Sequence, residues 1–343
     1  MSEEMTRTPR RRLHVPPRQR GVALLIAILL VALGTVIAAA LAYDNAMTAR
    51  RTIATFDYDQ ALLVTEGTEA FAGYALQQTF HAEPNATYPT QPWGRPIGPI
   101  EVAHGVTLQA SLEDLQGRFN LNDLVQADGT AVNPYALAAF QRLLTMLGLE
   151  PHWAQDLVNW IDRSPLPVFP DGASEAAYAE MSPPYHAPNL PITSTSELLA
   201  LPGFGRARFE KIAPFITALP VGTPLNVCSA SPYVLDAFLG NQQFSSDPKQ
   251  FEQDRVAAGG CFPTIQDFET AYSNTQPQPV ANPSLPGGTP QGPNFQQLFS
   301  QTSSWFRLTS FVSAGATEFA FYTVLYRDGS GMVRPILRSD TAN

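Results

Sequence analysis

The chain of 343 residues is poor in charge and cysteine, and it lacks the common catalytic motifs. Only 15% of its residues are charged, and it has two cysteines. Its five histidines are scattered, without H-x-x-x-H or C-x-x-C spacing, and the sequence contains no G-x-S-x-G motif and no phosphate-binding glycine loop. These absences disfavour zincin proteases, serine hydrolases of the nucleophile-elbow type and P-loop NTPases. A protein that is not an enzyme is therefore expected, and a soluble exported enzyme, cleaved at Ala42, is an alternative.

Charge is missing altogether from one long segment, Val22 to Tyr43. This run is long enough to cross a bilayer as one helix, whereas the apolar part of a secretory signal has about 7 to 15 residues. Residues 1–20 hold six arginines and two glutamates. The positive-inside bias therefore predicts a cytoplasmic N-terminus and a body on the other side of the membrane. Residues 40–42, Ala-Leu-Ala, have the form that signal peptidase recognises, so release of the body is the alternative.

The body beyond the arginine-rich segment is acidic. Without residues 1–20 the chain has 15 basic and 28 acidic residues, a net charge of −13, which disfavours nucleic acid as a partner. In an oxidising compartment the two cysteines, Cys228 and Cys261, can form one disulfide. Such a disulfide is expected to stabilise the fold by about 3 to 4 kcal/mol. Two free buried thiols are the alternative.

The periodicity of apolar residues predicts strands on either side of a helical block. From Asp44 to about Phe80 there is no proline and the apolar spacing is helical. This segment is therefore expected to continue the helix of the apolar run, and the two together form one helix of about 55 residues. Residues 275–294 read as a low-complexity linker. The other predicted elements are a strand at Ile100–Leu112, helices at Pro134–Leu147, Trp153–Ile161, Ser196–Leu201, Ala207–Leu219, Pro232–Leu239 and Ile265–Tyr272, and strands at Trp305–Val312, Thr317–Tyr326 and Met332–Leu337.

The start of the apolar run and five later segments carry a family resemblance. Gly21-Val22-Ala23-Leu24-Leu25-Ile26 after basic residues looks like the cleavage site of a type IV pilin-like precursor. Most such precursors have glutamate at the fifth mature residue, here Ile26, and its lack is typical of the K minor pseudopilin of type II secretion. The five segments, which resemble recurring segments of that family in the right order, are Leu115–Asn122, Asn159–Asp162, Gly172–Tyr178, Ser196–Leu199 and Leu225–Val227.

The resemblance implies an α+β fold, in which a pilin-like long N-terminal helix and an antiparallel sheet are interrupted by a large all-α insert domain. It implies a leader peptide at 1–21, a transmembrane or pilus-core half-helix at 22–43, and a pilin-like head split into 44–118 and 226–343. The insert lies between them, at 119–225. The expected function is a minor pseudopilin at the tip of the pseudopilus in the bacterial inner membrane. The expected partners are the I and J minor pseudopilins, the major pseudopilin, the prepilin peptidase and membrane lipid.

The hydrophobic residue at position 26 also has a physical reading. In pilin-like filaments the glutamate is thought to pair with the N-terminal amine of the subunit above, and a buried carboxylate without that amine costs several kcal/mol. A topmost subunit has no amine above it, which agrees with isoleucine at a tip. The alternative is that Ile26 is simply one more apolar residue of a membrane helix.

Members of the family bind calcium in the helical domain, and Asp162, Asp171 and Glu175 are the candidate ligands here. Calcium takes six to eight oxygens, commonly from acidic residues on a flexible loop. Further aspartates usually follow Asp162 in the family, but this chain has Arg163 and Ser164. A cation close to the site opposes calcium, so a weak or lost site is expected, with a solvated acidic loop as the alternative.

The segment Leu201 to Ala207 resembles the hairpin of a helix-hairpin-helix motif. Such a hairpin can hold a DNA phosphate beside a helix N-terminus. The same Gly-x-Gly turn equally connects two packed helices, and the acidic body opposes a polyanion, so the structural role is preferred and no nucleic acid is expected. The alternative function for the whole chain is a membrane-anchored periplasmic binding module that carries this hairpin and joins no filament.

Overall fold

A computed structural model describes residues 20–129, 131–163, 175–275 and 295–341 of the chain. The chain divides into two compact units, residues 1–58 and residues 59–343, and the boundary falls within the first helix. Most of the predicted leader 1–21 and nearly all of the predicted linker 275–294 lie outside the described residues.

The first helix, α1, runs from Arg20 to Ala82 and confirms the prediction of one helix that continues the apolar run. In the second unit one side of α1 is buried, with Ala61, Ala72 and Leu76 at most 2% exposed. Glu69 on this side accepts hydrogen bonds from the Arg338 guanidinium, at 2.6 Å from its Nη2, and from Thr323 Oγ1 at 2.7 Å. A charged pair therefore ties the helix to the sheet beside its apolar contact.

The sheet has five antiparallel strands: β1 Ile97–Ala103, β2 Val106–Asp114, β7 Trp305–Ala314, β8 Thr317–Arg327 and β9 Val333–Ser339. They lie in the order β1-β2-β7-β8-β9. Alternate residues of β7 are buried, as the period-2 pattern predicted, and pack with β2, β8 and the buried side of α1. The three C-terminal strands confirm their predicted positions to within two residues.

The prediction of one strand at Ile100–Leu112 is wrong, because in the structure this segment forms two strands, the hairpin β1-β2. The chain turns at Gly105, whose φ of +74° lies in the left-handed region that glycine occupies without strain. The alternation of apolar residues continues in β2, but the turn between the strands is only two residues long. A turn of two residues changes the local composition too little to show that the strand is interrupted.

The helical region has its own hydrophobic core. Trp153 and Trp160 are 7% and 6% exposed, and both pack in this core. The helices are α2 Pro134–Met146, α3 Trp153–Ile161, α4 Glu175–Ala179, α5 Gly205–Ile212, α6 Pro232–Leu239, α7 Pro248–Ala257, α8 Ile265–Thr275 and α9 Phe295–Leu298. Predicted Ser196–Leu201 is a 3₁₀ helix at Thr195–Ala200, and α7 was not predicted.

Two boundaries of the helical region differ from those predicted. The helix expected at Ala207–Leu219 ends at Ile212, because Pro214 follows and residues 216–217 form the short strand β4, which pairs with β3 at Phe119–Asn120. The expected end of the insert at residue 225 is also too early. Helices α6 and α8 contribute Leu235 and Phe268 to the same core, and another short strand pair, β5 at Leu225–Asn226 with β6 at Phe299–Ser300, closes the region.

A disulfide joins Cys228 to Cys261, with a Cα–Cα distance of 4.3 Å. It links the start of α6 to the segment before α8, and Cys228 is fully buried. The cross-link therefore lies within the helical region, between residues 33 positions apart in sequence.

Removal of this disulfide is expected to lower the free energy of unfolding by about 3 to 4 kcal/mol, because the open unfolded chain gains conformational entropy. The comparison is between the wild-type chain and the double variant Cys228→Ala/Cys261→Ala in denaturant unfolding. Reducing agent should shift the wild-type mass and electrophoretic mobility and leave the variant unchanged. Identical behaviour of the two proteins on reduction would contradict the pairing.

Candidate functional site: exposed helix surface and buried polar centre

The first unit contains an apolar helical surface. From Val22 onward α1 is the one described helix that is long and apolar enough to span a membrane, with a mean hydropathy of 2.9 over its best window and none of that window buried. Ile26 lies in this surface with 53% of its area exposed, like its apolar neighbours. Cleavage between Gly21 and Val22 and the role of Ile26 stay predictions.

The part of α1 in the second unit has an exposed apolar side as well. Leu63, Phe71 and Tyr74 are 67%, 56% and 59% exposed, and we call these three residues the exposed α1 surface. Their spacing of three to eight positions places them on the side opposite the buried residues Ala61, Ala72 and Leu76. Around Gly67, between them, an added Cβ would meet no atom within 4 Å. Such a surface offers aromatic and aliphatic anchors to another helix.

A group of buried polar side chains joins the sheet to the helical region. We call it the polar centre, and its members are Thr87, Asp114, Asn226, Ser303 and Arg327. Asp114 at the end of β2 accepts hydrogen bonds from Ser303 Oγ at 2.6 Å, Asn226 Nδ2 at 3.0 Å and also Ser229 Oγ. Burial raises the pKa of the Asp114 carboxyl, against the opposing effect of these donors.

Asn226 lies at the middle of the polar centre and is fully buried. Its side-chain amide nitrogen is within hydrogen-bonding distance of three acceptors, including Thr87 O at 2.8 Å, and its Oδ1 accepts from Cys228 N at 3.0 Å. Arg327 Nη2 donates to Thr87 Oγ1 at 3.0 Å and to Ser303 O. The centre therefore fixes five separate chain segments against one another.

The segment after β2 holds the loops of the helical region by alternate polar side chains. Gln116 Nε2 donates to Pro224 O at 2.8 Å. Asn122 Nδ2 donates to Ile192 O at 2.9 Å and to Leu219 O at 2.8 Å. Sequence reasoning used this stretch only as a family signature and missed its role. Polar and apolar residues alternate regularly from Asp114 to Asn122. This alternation could have indicated buried polar side chains that need hydrogen-bond partners, because apolar neighbours bury the polar side chains between them.

The acidic loop is described only in part. Asp162 is 4% exposed at the end of α3, whereas Asp171 lies outside the described residues and only the backbone of Glu175 is described. In the part of the chain that the structure describes, no three His, Cys, Asp or Glu side chains are arranged to hold a metal ion. The calcium prediction therefore stays a prediction.

Two arginines at the hairpin of residues 201–207, Arg206 and Arg208, pair with carboxylates. Gly203 and Gly205 take φ values of +82° and +74°. Arg208 donates to Glu150 at 2.8 Å and lies 5.4 Å from the ring centre of Trp153, and Arg206 donates to Glu210 at 2.6 Å. The hydrogen bonds from Arg208 lower the pKa of Glu150. These contacts support the structural role of the turn, in which it connects two packed segments.

Asp123 is a partly buried carboxylate without a basic partner among the described residues. It accepts a hydrogen bond from Gly222 N at 2.7 Å, and burial raises its pKa from 3.8 to about 6. The folded chain therefore holds this proton more tightly than the unfolded chain. The resulting stabilisation is present at pH values below 3.8 and is lost as the pH rises through about 6.

Asp123→Asn is expected to remove part of the pH dependence of stability. Between pH 5 and pH 7.5 the wild-type free energy of unfolding should fall by about 1.4 kcal/mol more than that of the variant. Asparagine keeps the acceptor for Gly222 N, and comparison with the variant cancels Asp114 and Asp236, whose pKa values burial also raises. Parallel pH profiles for the two proteins, measured by denaturant unfolding, would contradict the assignment.

The structure combines a long N-terminal helix, apolar in its first half, with an antiparallel sheet whose strands are separated in sequence by a helical region. This combination defines a pilin-like protein, with one membrane-anchor candidate among the described helices. Sequence comparison identifies the particular family. The family model described as "Type II secretion system (T2SS), protein K" matches residues 117–221. The chain belongs to the type II secretion system protein K family, a family of minor pseudopilins.

Two relatives carry this assignment. The type II secretion system protein K of Pseudomonas aeruginosa is 30% identical over 330 residues, which cover 93% of this chain and 92% of that protein. The protein K of Klebsiella pneumoniae is 33% identical over 252 residues, which cover 71% of this chain and 77% of that one. The high coverage of both confirms the predicted family resemblance.

A solved structure shows the same fold. A chain from the crystal structure of the GspK-GspI-GspJ complex of enterotoxigenic Escherichia coli superimposes with a TM-score of 0.67. The match covers 84% of this chain and 98% of that chain, at 23% sequence identity. The predicted α+β fold is thereby confirmed.

Proposed function

We propose that this chain is a non-catalytic subunit at the tip of the type II secretion pseudopilus, where it initiates and caps assembly and supports protein export across the outer membrane. The observation that carries the proposal is the pair of exposed apolar helix surfaces on α1, one in each unit. The surface in the first unit suits lipid or a neighbouring helix, and Phe71 and its neighbours suit a partner helix. Helix packing, rather than catalysis, is the activity that such surfaces support.

The tip position rests on Ile26. A filament subunit below the tip uses a glutamate at this place to meet the amine of the next subunit, whereas the topmost subunit has no such amine. An apolar residue here avoids the cost of several kcal/mol for a carboxylate without its partner. Ile26 is 53% exposed within the apolar surface, so a neighbouring helix can reach it.

The proposed partners are the I and J minor pseudopilins, by analogy with the solved complex that contains GspK, GspI and GspJ. The major pseudopilin would lie below this trimer. The prepilin peptidase would cut between Gly21 and Val22 on the cytoplasmic side of the inner membrane, and the second unit would face the periplasm.

The deciding experiment is the N-terminal mass of the protein from its native membrane, with and without the prepilin peptidase. The proposal expects a peptidase-dependent start at Val22, methylated on its amine, and recovery of the chain with the I and J proteins. A start at Tyr43 would identify a released protein. A retained arginine segment without pseudopilin partners would identify a membrane-anchored binding module instead.

Calcium is expected to bind weakly or not at all. Arg163 and Ser164 stand where the family usually has further aspartates, and they reduce the negative charge available near Asp162. Calorimetry on the full chain should therefore show no tight calcium binding. Tight binding that Asp162→Ala abolishes would overturn this expectation, and the matched variant Asp267→Ala, at an exposed position on α8, controls for nonspecific loss of charge.

A further inference from the structure

A cavity of about 700 Å³ opens in the helical region and has no part in the proposed assembly surfaces. It lies between α2, the C-terminal ends of α6 and α8, and α9. Phe119, Phe238 and Leu298 are among the apolar residues that line it. Its volume lies in the range of sites for small organic molecules, about 300 to 1,000 Å³, which typically combine an apolar wall with a few convergent polar groups.

The polar residues that line this cavity include Arg142, Tyr135 and Tyr272. They are near enough to affect one another. Burial raises the pKa of Tyr272, with Tyr135 acting in the same direction and Arg142 in the opposite one. Burial likewise lowers the pKa of Arg142, and Tyr272 opposes this shift. One cation and two hydroxyl groups therefore line the same cavity.

Arg142 is anchored but keeps unused donors. Its Nε donates to Ala237 O at 2.7 Å, which holds the guanidinium at the end of α6. In the described ranges no carboxylate pairs with Arg142, in contrast to Arg118 of the same cavity, which pairs with Glu113. The guanidinium lies beside Gly240, where an added Cβ would be 3.5 Å from Nη1. The terminal nitrogens are thus available to a ligand.

We propose that this cavity binds a small amphipathic carboxylate. The carboxylate would accept paired hydrogen bonds from Arg142, whose planar donor fork matches its geometry, and further bonds from the Tyr135 and Tyr272 hydroxyls. The apolar body of the ligand would lie against Phe119, Phe238 and Leu298. A single unpaired cation, with Asp123 elsewhere in the wall, favours a monoanion over a phosphate dianion.

Equilibrium dialysis of the full chain in lipid nanodiscs against 4-phenylbutanoate at pH 7.5 tests this proposal, with empty nanodiscs subtracted. Saturable binding of one molecule is expected, with a Kd on the order of 0.1 mM for a probe of this size. Arg142→Gln should weaken binding at least about tenfold, the loss expected for a charge-assisted bidentate contact. Arg206→Gln, which changes an exposed arginine outside the cavity, should leave the Kd unchanged.

Two further measurements keep the result independent of folding and of the assembly proposal. Tyr272→Phe removes only a hydroxyl and should weaken binding about threefold or more, even if Arg142→Gln disturbs the fold. The uncharged 4-phenylbutanamide should not compete. No saturable binding, equal affinity of Arg142→Gln, or equal competition by the amide would each overturn the proposal. Recovery with the I and J proteins is expected to be unchanged in these variants, so failure of one proposal leaves the other intact.

Discussion

Phe71→Glu is expected to lower recovery of this chain with the I and J minor pseudopilins by at least about tenfold, while its own free energy of unfolding stays within about 0.5 kcal/mol of wild type. Phe71 is 56% exposed on α1, so the substitution buries no charge in the isolated chain. In a helix-helix contact, however, the carboxylate would be taken out of water without a partner. The measurement is quantitative co-purification from membranes that contain all three proteins.

Val256→Glu is the matched control, because Val256 is also an exposed apolar residue on a helix, α7, with 69% of its area exposed. It should leave recovery of the complex unchanged. If both variants lose the complex equally, or if Phe71→Glu retains it, the exposed α1 surface is not the contact surface. Denaturant unfolding of both variants separates loss of contact from loss of fold.

Asn226→Ala is expected to destabilise the second unit by about 3 kcal/mol or more, because several buried groups lose their hydrogen-bond partner at once. Thr87 O and Cys228 N would both lose a bond to Asn226 in a region without access to water. Asp114 would lose one of its donors, so its ionised form would become still less favourable. Chemical denaturation of the full chain measures the change.

Asn241→Ala provides the comparison for this second prediction. Asn241 accepts one local hydrogen bond, from Gln243 N at 3.2 Å, near the surface. Its replacement should cost about 0.5 kcal/mol or less. Equal losses of unfolding free energy in the two variants would show that the buried hydrogen bonds of Asn226 stabilise the fold no more than a surface hydrogen bond does. A small loss for Asn226→Ala would show that water replaces the hydrogen bonds of Asn226.

The sequence predicted the elements whose signals are local. The long α1 helix was predicted from an uninterrupted, proline-free segment. Helices α2 and α3 were predicted from apolar residues that recur every three or four positions. The hairpin at Gly105 and the early end of α5 were missed, because each depends on one or two residues rather than on a repeating pattern.

Of the candidate functional surfaces, only the apolar surface of the first unit could be predicted from the sequence. The apolar surface at Val22 and Ile26 was evident from composition, since charge is absent over the whole segment. The polar centre was not, because its members come from five places between Thr87 and Arg327, and nothing in the spacing of Thr87, Asn226 and Ser303 indicates that they meet. Likewise, the convergence of Arg142 and Tyr272 on one cavity depends on how α2 and α8 pack.

By itself, therefore, the sequence determined the membrane-anchor candidate and most helices and strands, because these depend on hydrophobicity and period along a continuous stretch of chain. It also indicated the family, through the residues at the start of the apolar run and the five later segments that resemble those of the family. The tertiary structure alone decided where the helical region ends, which polar groups share the buried centre, and which side of α1 remains exposed. These features arise from packing between segments that are far apart in the chain. A buried hydrogen bond such as Asn226 to Thr87 has no local signature, since its free energy depends on the exclusion of water by the whole fold.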